Sequence, residues 1–289
     1  MENKSKKILL LGDRGKLGNA IKKVMSDYFK IVGKNSSNFD AYDFNSFENI
    51  INEEKPDIVI NTVALLGIDP CELEPGRAFS LNSLMPKTLA ELSVKYNYVF
   101  VHFSTDAVFN DSKGDFYTEE DIPYPLNVYG STKYAGDCLI KAIAKKYYIF
   151  RIPVLFGYTE KQSQFVEKML KKIEDGTNLL RISGDIISSP TYSIDIAFKL
   201  MTFLKENKGF GLYHIANEGQ ASLFEVMKSI VEYLGINVVV ERISYLDFPF
   251  IGIKNTFTPL KSIKTTSLRP WREALNDYCT EIIKVKKNK

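Results

Sequence analysis

The sequence predicts an α/β protein built on a doubly wound parallel sheet, and three observations carry that prediction. Short β-rich apolar runs alternate with longer stretches of helical period, which is the pattern of βαβ units. Runs such as Ile58-Val59-Ile60 are apolar throughout, as strands covered on both faces require. A glycine-rich segment, Gly12-Asp13-Arg14-Gly15-Lys16-Leu17-Gly18, sits where the first apolar run gives way to the first helical stretch.

Taken in order, an apolar run predicts a strand over 7–12 and an amphipathic stretch a helix over 16–28. Strands over 29–33, 57–61, 98–104 and 147–152 follow, separated by helical patterns at 46–53, 75–96 and 128–146. After Gly157 the pattern loosens into a helix over 164–174, a strand over 179–182, a helix over 193–205 and a strand over 211–215. A helix over 222–234 and a strand over 238–243 precede a poorly periodic tail broken by Pro249, Pro259 and Pro270. With no linker or repeat in sight, the expected organisation is a dinucleotide-binding domain over 1–153, rejoined by 187–217. A smaller α/β lobe over 154–186 and 218–289 packs on it, with the ligand in the cleft between them.

Composition narrows the function classes. The chain has 289 residues, 45% hydrophobic and 25% charged, which excludes disorder, collagen and a disulfide scaffold. Lys plus Arg number 38 against 35 Asp plus Glu, too even a balance for the clustered basic face of a nucleic-acid binder. The one basic run, 284–289, reads as a frayed tail. Three scattered cysteines (Cys71, Cys138, Cys279) and two histidines provide no metal cluster, and no metal-binding residue is assigned. His102 lies within an apolar run and reads as a core or edge residue. No stretch has the length of a membrane span and no signal-peptide core follows Met1, so a cytoplasmic protein with reduced thiols is expected.

The glycine segment opens a helix, whose N-terminal N–H groups and dipole favour a pyrophosphate. Its glycines permit a tight turn, close approach of a ligand and close packing of helix on strand. The segment after the second strand, Gly33-Lys34-Asn35-Ser36-Ser37, has no carboxylate to grip an NAD ribose. Lys34, with Arg14 and Lys16, therefore tilts the expected cofactor, NADPH or NADH, toward NADPH.

Tyr129 and Lys133 are the only tyrosine and lysine in this chain at that order and spacing, and four positions put them on one helical face. An ammonium beside a phenol lowers the phenol's pKa from about 10, so Tyr129 can pass a proton to a carbonyl oxygen near neutral pH. Ser104-Thr105-Asp106 ends the fourth predicted strand, on the edge where ligands of parallel sheets bind. Thr105 is expected to hydrogen-bond that carbonyl oxygen.

With these pieces in place the chain resembles the extended short-chain dehydrogenase/reductases, and within them the dTDP-4-dehydrorhamnose reductase family. The resemblance rests on 12–18, Lys55-Pro-Asp-Ile-Val-Ile-Asn61, Ser104-Thr-Asp-Ala-Val-Phe109, the stretch from Glu119 to Lys133, Ser188-Ser-Pro-Thr-Tyr192 with Asp195, and Leu268-Arg-Pro-Trp271-Arg. It implies a Rossmann fold with Thr105, Tyr129 and Lys133 as the catalytic set, Lys133 also holding the nicotinamide ribose. It further implies a cofactor site of Gly15, Lys16, Leu17, Asp40, Ala41, Ala64, Leu65, Leu66 and Phe103; the glycine loop adds Gly12 and Gly18, the charge argument Lys34, and Tyr129 and Lys133 complete the site. The implied substrate is a nucleotide-linked 4-keto-6-deoxy sugar for cell-surface polysaccharide, touching Thr105, Asp106, Ala107 and Val154. The resemblance also admits a homodimer.

Two departures bear on the sugar pocket. Ala107 stands where the family usually has an aromatic residue, and Val154 where it has tryptophan, so the pocket is expected to be enlarged or reshaped. The stretch Arg151-Ile-Pro-Val-Leu-Phe-Gly157 is also similar to the regulatory subunit of methionine adenosyltransferase, a relative that binds NADP and serves as a partner protein. An NADP-binding module without hydride transfer is therefore the alternative expectation.

Overall fold

A computed structural model describes residues 6–159 and 165–287 of the chain. In chain order the principal elements begin with β1 (Lys7–Leu11), α1 (Lys16–Met25), β2 (Lys30–Lys34), α2 (Phe44–Glu54) and β3 (Ile58–Asn61). Next come α3 (Ile68–Leu73), α4 (Met85–Tyr96), β4 (Val99–Thr105), α5 (Val128–Ile143), β5 (Tyr147–Ile152) and α6 (Phe165–Glu174). The chain continues through β6 (Leu179–Ser183), α7 (Ser193–Glu206), β7 (Gly211–His214), α8 (Leu223–Leu234), β8 (Val239–Ile243) and α9 (Trp271–Lys287).

Six strands form one sheet in the order β7-β5-β4-β3-β1-β2, and every neighbouring pair is parallel. The strands alternate their side chains between two faces, and both faces are covered. Ile8, Leu10, Ile60, Val101 and Phe150 pack under α1 and α7. Leu9, Leu11, Val59, Phe100 and Ile149 pack under α2, α4 and α5. The strand order reverses between β1 and β3, and the crevice outside the carboxyl ends at such a reversal is where open α/β sheets bind ligands. A third core, with Leu180, Ile182, Met227, Ile230, Trp271 and Tyr278, holds β6, α8 and α9 together beside the sheet.

Three expectations change. The helix expected over 75–96 is interrupted: Pro75–Phe79 is α-helical, Ser80–Leu84 is a π-turn, and α4 follows. The wider turn carries Asn82, whose amide holds both backbone groups of Leu65. The poorly periodic tail ends in a helix, α9, whose buried Trp271, Ala274, Leu275, Tyr278, Cys279 and Ile282 recur at three and four residues. Pro270 directly precedes its first turn, where a missing N–H costs nothing, and so marks a start instead of a break. The basic run is accordingly helical through Lys287, with 288–289 outside the described residues. The expected helix start at Gln164 also lies outside them. Among the described residues no helix is long and apolar enough to cross a membrane.

Candidate active site

The glycine segment is built by backbone needs. Gly12 has φ +87°, and a Cβ there would lie 2.5 Å from the Thr62 hydroxyl. At Gly18 a Cβ would come within 2.3 Å of the Gly12 carbonyl, so only glycine lets α1 approach β1 this closely. The helix starts after Gly15 with no side chain capping it, which leaves its first N–H groups for a ligand. Asp13, which sequence reasoning passed over, lies buried across Gly33 and accepts from Asn35 at 2.8 Å and Lys22 at 3.1 Å. The Gly33 between two strand residues was the available signal for that contact.

A groove of about 760 Å³ runs from this loop across the carboxyl ends of β1 and β3. Of the expected cofactor residues it brings together Gly12, Gly15, Asp40, Ala41, Ala64, Leu65 and Leu66. Arg14, Asn35, Ser36 and Ser37 line it as well, as do Tyr42 and Arg77, which stack as cation and ring 5.2 Å apart. Free N–H groups, a close glycine cradle and a carboxylate-free second-strand end fit a dinucleotide.

The side chains of Lys16 and Lys34 do not contribute to this groove, contrary to the charge argument for NADPH. Lys16 is buried and donates to Leu155 O at 3.0 Å while pairing with Glu167 at 3.0 Å. Burial lowers its pKa against the pull of Glu167. Lys34 turns to Glu54 at 3.5 Å. Leu17 on α1 and Phe103 on β4 are core residues between that helix and the sheet, Phe103 lying 5.7 Å from the Phe150 ring.

Beyond the groove, Thr105 at the end of β4 and Tyr129 at the start of α5 meet. Asn127 caps α5 by accepting from Gly130 N at 2.8 Å, and its amide donates to Ile253 O and Asn255 Oδ1. Gly130 is required because a Cβ there would lie 2.1 Å from the Ala107 carbonyl. Asn82, besides holding Leu65, donates to the Thr132 hydroxyl at 3.1 Å and so ties the groove wall to α5.

The electrostatics differ from expectation. Burial pushes the Tyr129 phenol well above its ordinary value, the neighbouring Thr105 hydroxyl only partly opposing it. The Lys133 amine does not sit against the phenol: it donates to Phe103 O at 2.6 Å and lies 3.1 Å from His102 Nε2. Burial lowers it to about 8, with Asp137 and Cys71 opposing. Thr105 donates to Asp106 Oδ1 at 3.1 Å and accepts from Ala107 N, so its one proton already has a partner. Asp106 also accepts from Ser188 at 2.8 Å and Thr258 at 2.9 Å, bringing the later segments to the site. Burial raises its pKa, and these three hydroxyls pull it back. Below α5, Arg151 and Asp137 form a buried pair at 3.1 Å. Ala107 is buried, and Val154 is half-buried with its carbonyl accepting from Thr191 N at 3.0 Å. Among the described residues no group of three or more His, Cys, Asp or Glu could hold a metal ion.

The Asp195 and Arg269 of the later motifs are joined by two bonds of 2.9 and 3.0 Å, with Asn217 donating to Asp195 at 2.8 Å. Residues 6–283 match the family described as RmlD substrate binding domain. The chain belongs to that family. It is 31% identical over 289 residues to the dTDP-4-dehydrorhamnose reductase of Aggregatibacter actinomycetemcomitans, covering 94% of this chain and 97% of that protein. It is 30% identical to the spore coat polysaccharide biosynthesis protein SpsK of Bacillus subtilis, covering 95% and 97%. Among solved structures, a dTDP-4-dehydrorhamnose reductase from Bacillus anthracis in complex with NADP superposes with a TM-score of 0.90 at 25% identity, covering 96% of this chain and 99% of that one. One from Clostridium acetobutylicum superposes at 0.89 and 28% identity, with the same coverage. The family member described here thus has the Rossmann fold of the sugar-nucleotide reductases.

Proposed function

We propose that this chain is an NADPH- or NADH-dependent reductase of the 4-keto group of a nucleotide-activated 6-deoxy sugar, serving cell-surface polysaccharide synthesis. The observation that carries the reading is a glycine-cradled groove across the carboxyl ends of β1 and β3 that Asn82 ties to α5, the helix of Tyr129 and Lys133, with Thr105 at the carboxyl end of β4. The relatives named as dTDP-4-dehydrorhamnose reductases support the substrate class.

In this reading the N–H groups at the start of α1 hold the pyrophosphate, and Asp40, Ala41 and Ala64 to Leu66 flank the adenosine. Bound NADPH or NADH supplies the hydride. Tyr129, its pKa raised by burial, is protonated at neutral pH and gives its proton to the carbonyl oxygen. Thr105 turns its hydroxyl from Asp106 to the same oxygen, and Lys133 binds the nicotinamide ribose. Residues 154–186 and 218–289 cover the sugar nucleotide, with Asp106, Ala107 and Val154 against it.

The test is NAD(P)H consumption with a freshly generated dTDP-4-keto-6-deoxy sugar. Tyr129→Phe should lower turnover by roughly 10²-fold or more, the scale of a lost general acid, with cofactor affinity nearly unchanged. Full turnover in that variant would remove Tyr129 from the mechanism. Cofactor binding without consumption of any keto sugar would favour the NADP-binding partner module over the enzyme.

A further inference from the structure

Beneath α5 the polar groups follow a directional chain that starts in β3. The Asn61 side chain is oriented by its own strand end: Oδ1 accepts from Val63 N at 2.9 Å, so Nδ2 is the atom facing β4. There it lies 3.3 Å from His102 Nδ1, the two residues being register partners across β3 and β4. An amide N–H can only donate, so Nδ1 must accept and carries no proton. Both side chains are fully buried, which leaves no water to reverse the roles.

The proton of the neutral imidazole therefore sits on Nε2, 3.1 Å from Lys133 Nζ. An ammonium at that place would oppose N–H to N–H. A free amine fits: its lone pair accepts from Nε2–H while one of its own N–H groups donates to Phe103 O at 2.6 Å. We propose that His102 is a positioning residue that stores Lys133 as the free amine, and that Lys133 takes up a proton from solvent only on turning away from His102. Charge and position of the lysine are then coupled: protonation, with a pKa of about 8, draws the amine away from His102 to where the ribose and Tyr129 can use it. The inference rests on the reading of Tyr129 and Lys133 as the proton-handling pair, but its geometry does not.

The groups facing Lys133 are His102 from β4, Cys71 from α3 and Asp137 one turn further along α5, with Arg151 of β5 paired to Asp137. Burial together with Lys133 holds His102 well below its ordinary pKa, in keeping with a ring that stays neutral.

The experiment is NMR on the full chain, free of cofactor and substrate, so that it stands whether or not the reductase reading does. Long-range ¹H–¹⁵N spectra should show His102 with Nε2 protonated and Nδ1 bare from neutral to mildly alkaline pH. A proton on Nδ1, or a doubly protonated ring, overturns the proposal. Titration of Lys133 followed at ¹³Cε should move up by about one pH unit in His102→Leu, which removes the donor, and stay near the wild type in His102→Gln, which keeps an N–H. Equal movement in both variants, or in neither, overturns it as well. Should His102→Leu fail to fold, the tautomer of the unmodified protein decides alone.

Discussion

The cofactor groove and the layer beneath α5 solve the same problem, holding polar groups in place, by opposite means. The groove is lined by backbone and short polar side chains such as Ser36, Ser37 and Asn38, exposed to water and ready for a ligand. Under α5, His102, Lys133, Asp137 and Arg151 are almost wholly buried, and each is fixed by a partner from another element. The difference teaches where removal of one group is costly: a buried charge left alone cannot be rescued by solvent, whereas a groove residue can.

The sharpest test of that contrast removes one buried partner. Arg151→Met should leave Asp137 uncompensated and destabilise the protein by about 3–5 kcal/mol in urea unfolding. A loss below about 1 kcal/mol, the scale of an exposed pair, would break the comparison.

A second test uses pH. His214 is buried, its Nδ1 within 3.2 Å of two carbonyl oxygens and its Nε2 without a partner, so burial holds its pKa down to about 4 from 6.5. Below its ordinary value the unfolded chain binds the proton and the folded one does not. Stability is therefore complete above about pH 6.5 and falls as pH drops toward 4, by about 3 kcal/mol. His102, lowered in the same sense, adds to the fall. Urea midpoints measured across that window should slope for the wild type and slope less for His214→Gln.

The smallest effect is expected in the groove. Lys34→Ala, whose half-buried ammonium pairs with Glu54 outside the groove, should change the NADPH KM by less than about twofold. Arg14→Ala, which alters the groove lining itself, should raise it more for NADPH than for NADH. Equal sensitivity of the two positions would mean that Lys34 swings into the groove when the cofactor binds.

The same contrast explains what was legible in the sequence. The parallel sheet and the glycine segment could be read because they depend on local apolar runs and on backbone freedom at Gly12 and Gly18. The Tyr129 and Lys133 pair could be read from helical spacing. The amine's true neighbour could not, because His102 comes from a strand 31 positions away and looks like any residue of an apolar run. Nor could the fates of Lys16 and Lys34, since a lysine beside a glycine loop carries no mark of the glutamate it meets. Helix α9 is a different case: its buried residues recur at three and four from Trp271 on, directly after Pro270, the last of the tail's three prolines.

Lys16 has one further consequence. It is the first residue of the helix whose N–H groups face the groove, and its amine is fastened to Glu167 of α6, which Tyr278 of α9 also approaches at 3.5 Å. Helix α1 therefore shares a rivet with α6 and α9. Pulling them apart there would strand a charge in a dry seam, so the start of α1, and the glycine loop that leads into it, is held in place from below.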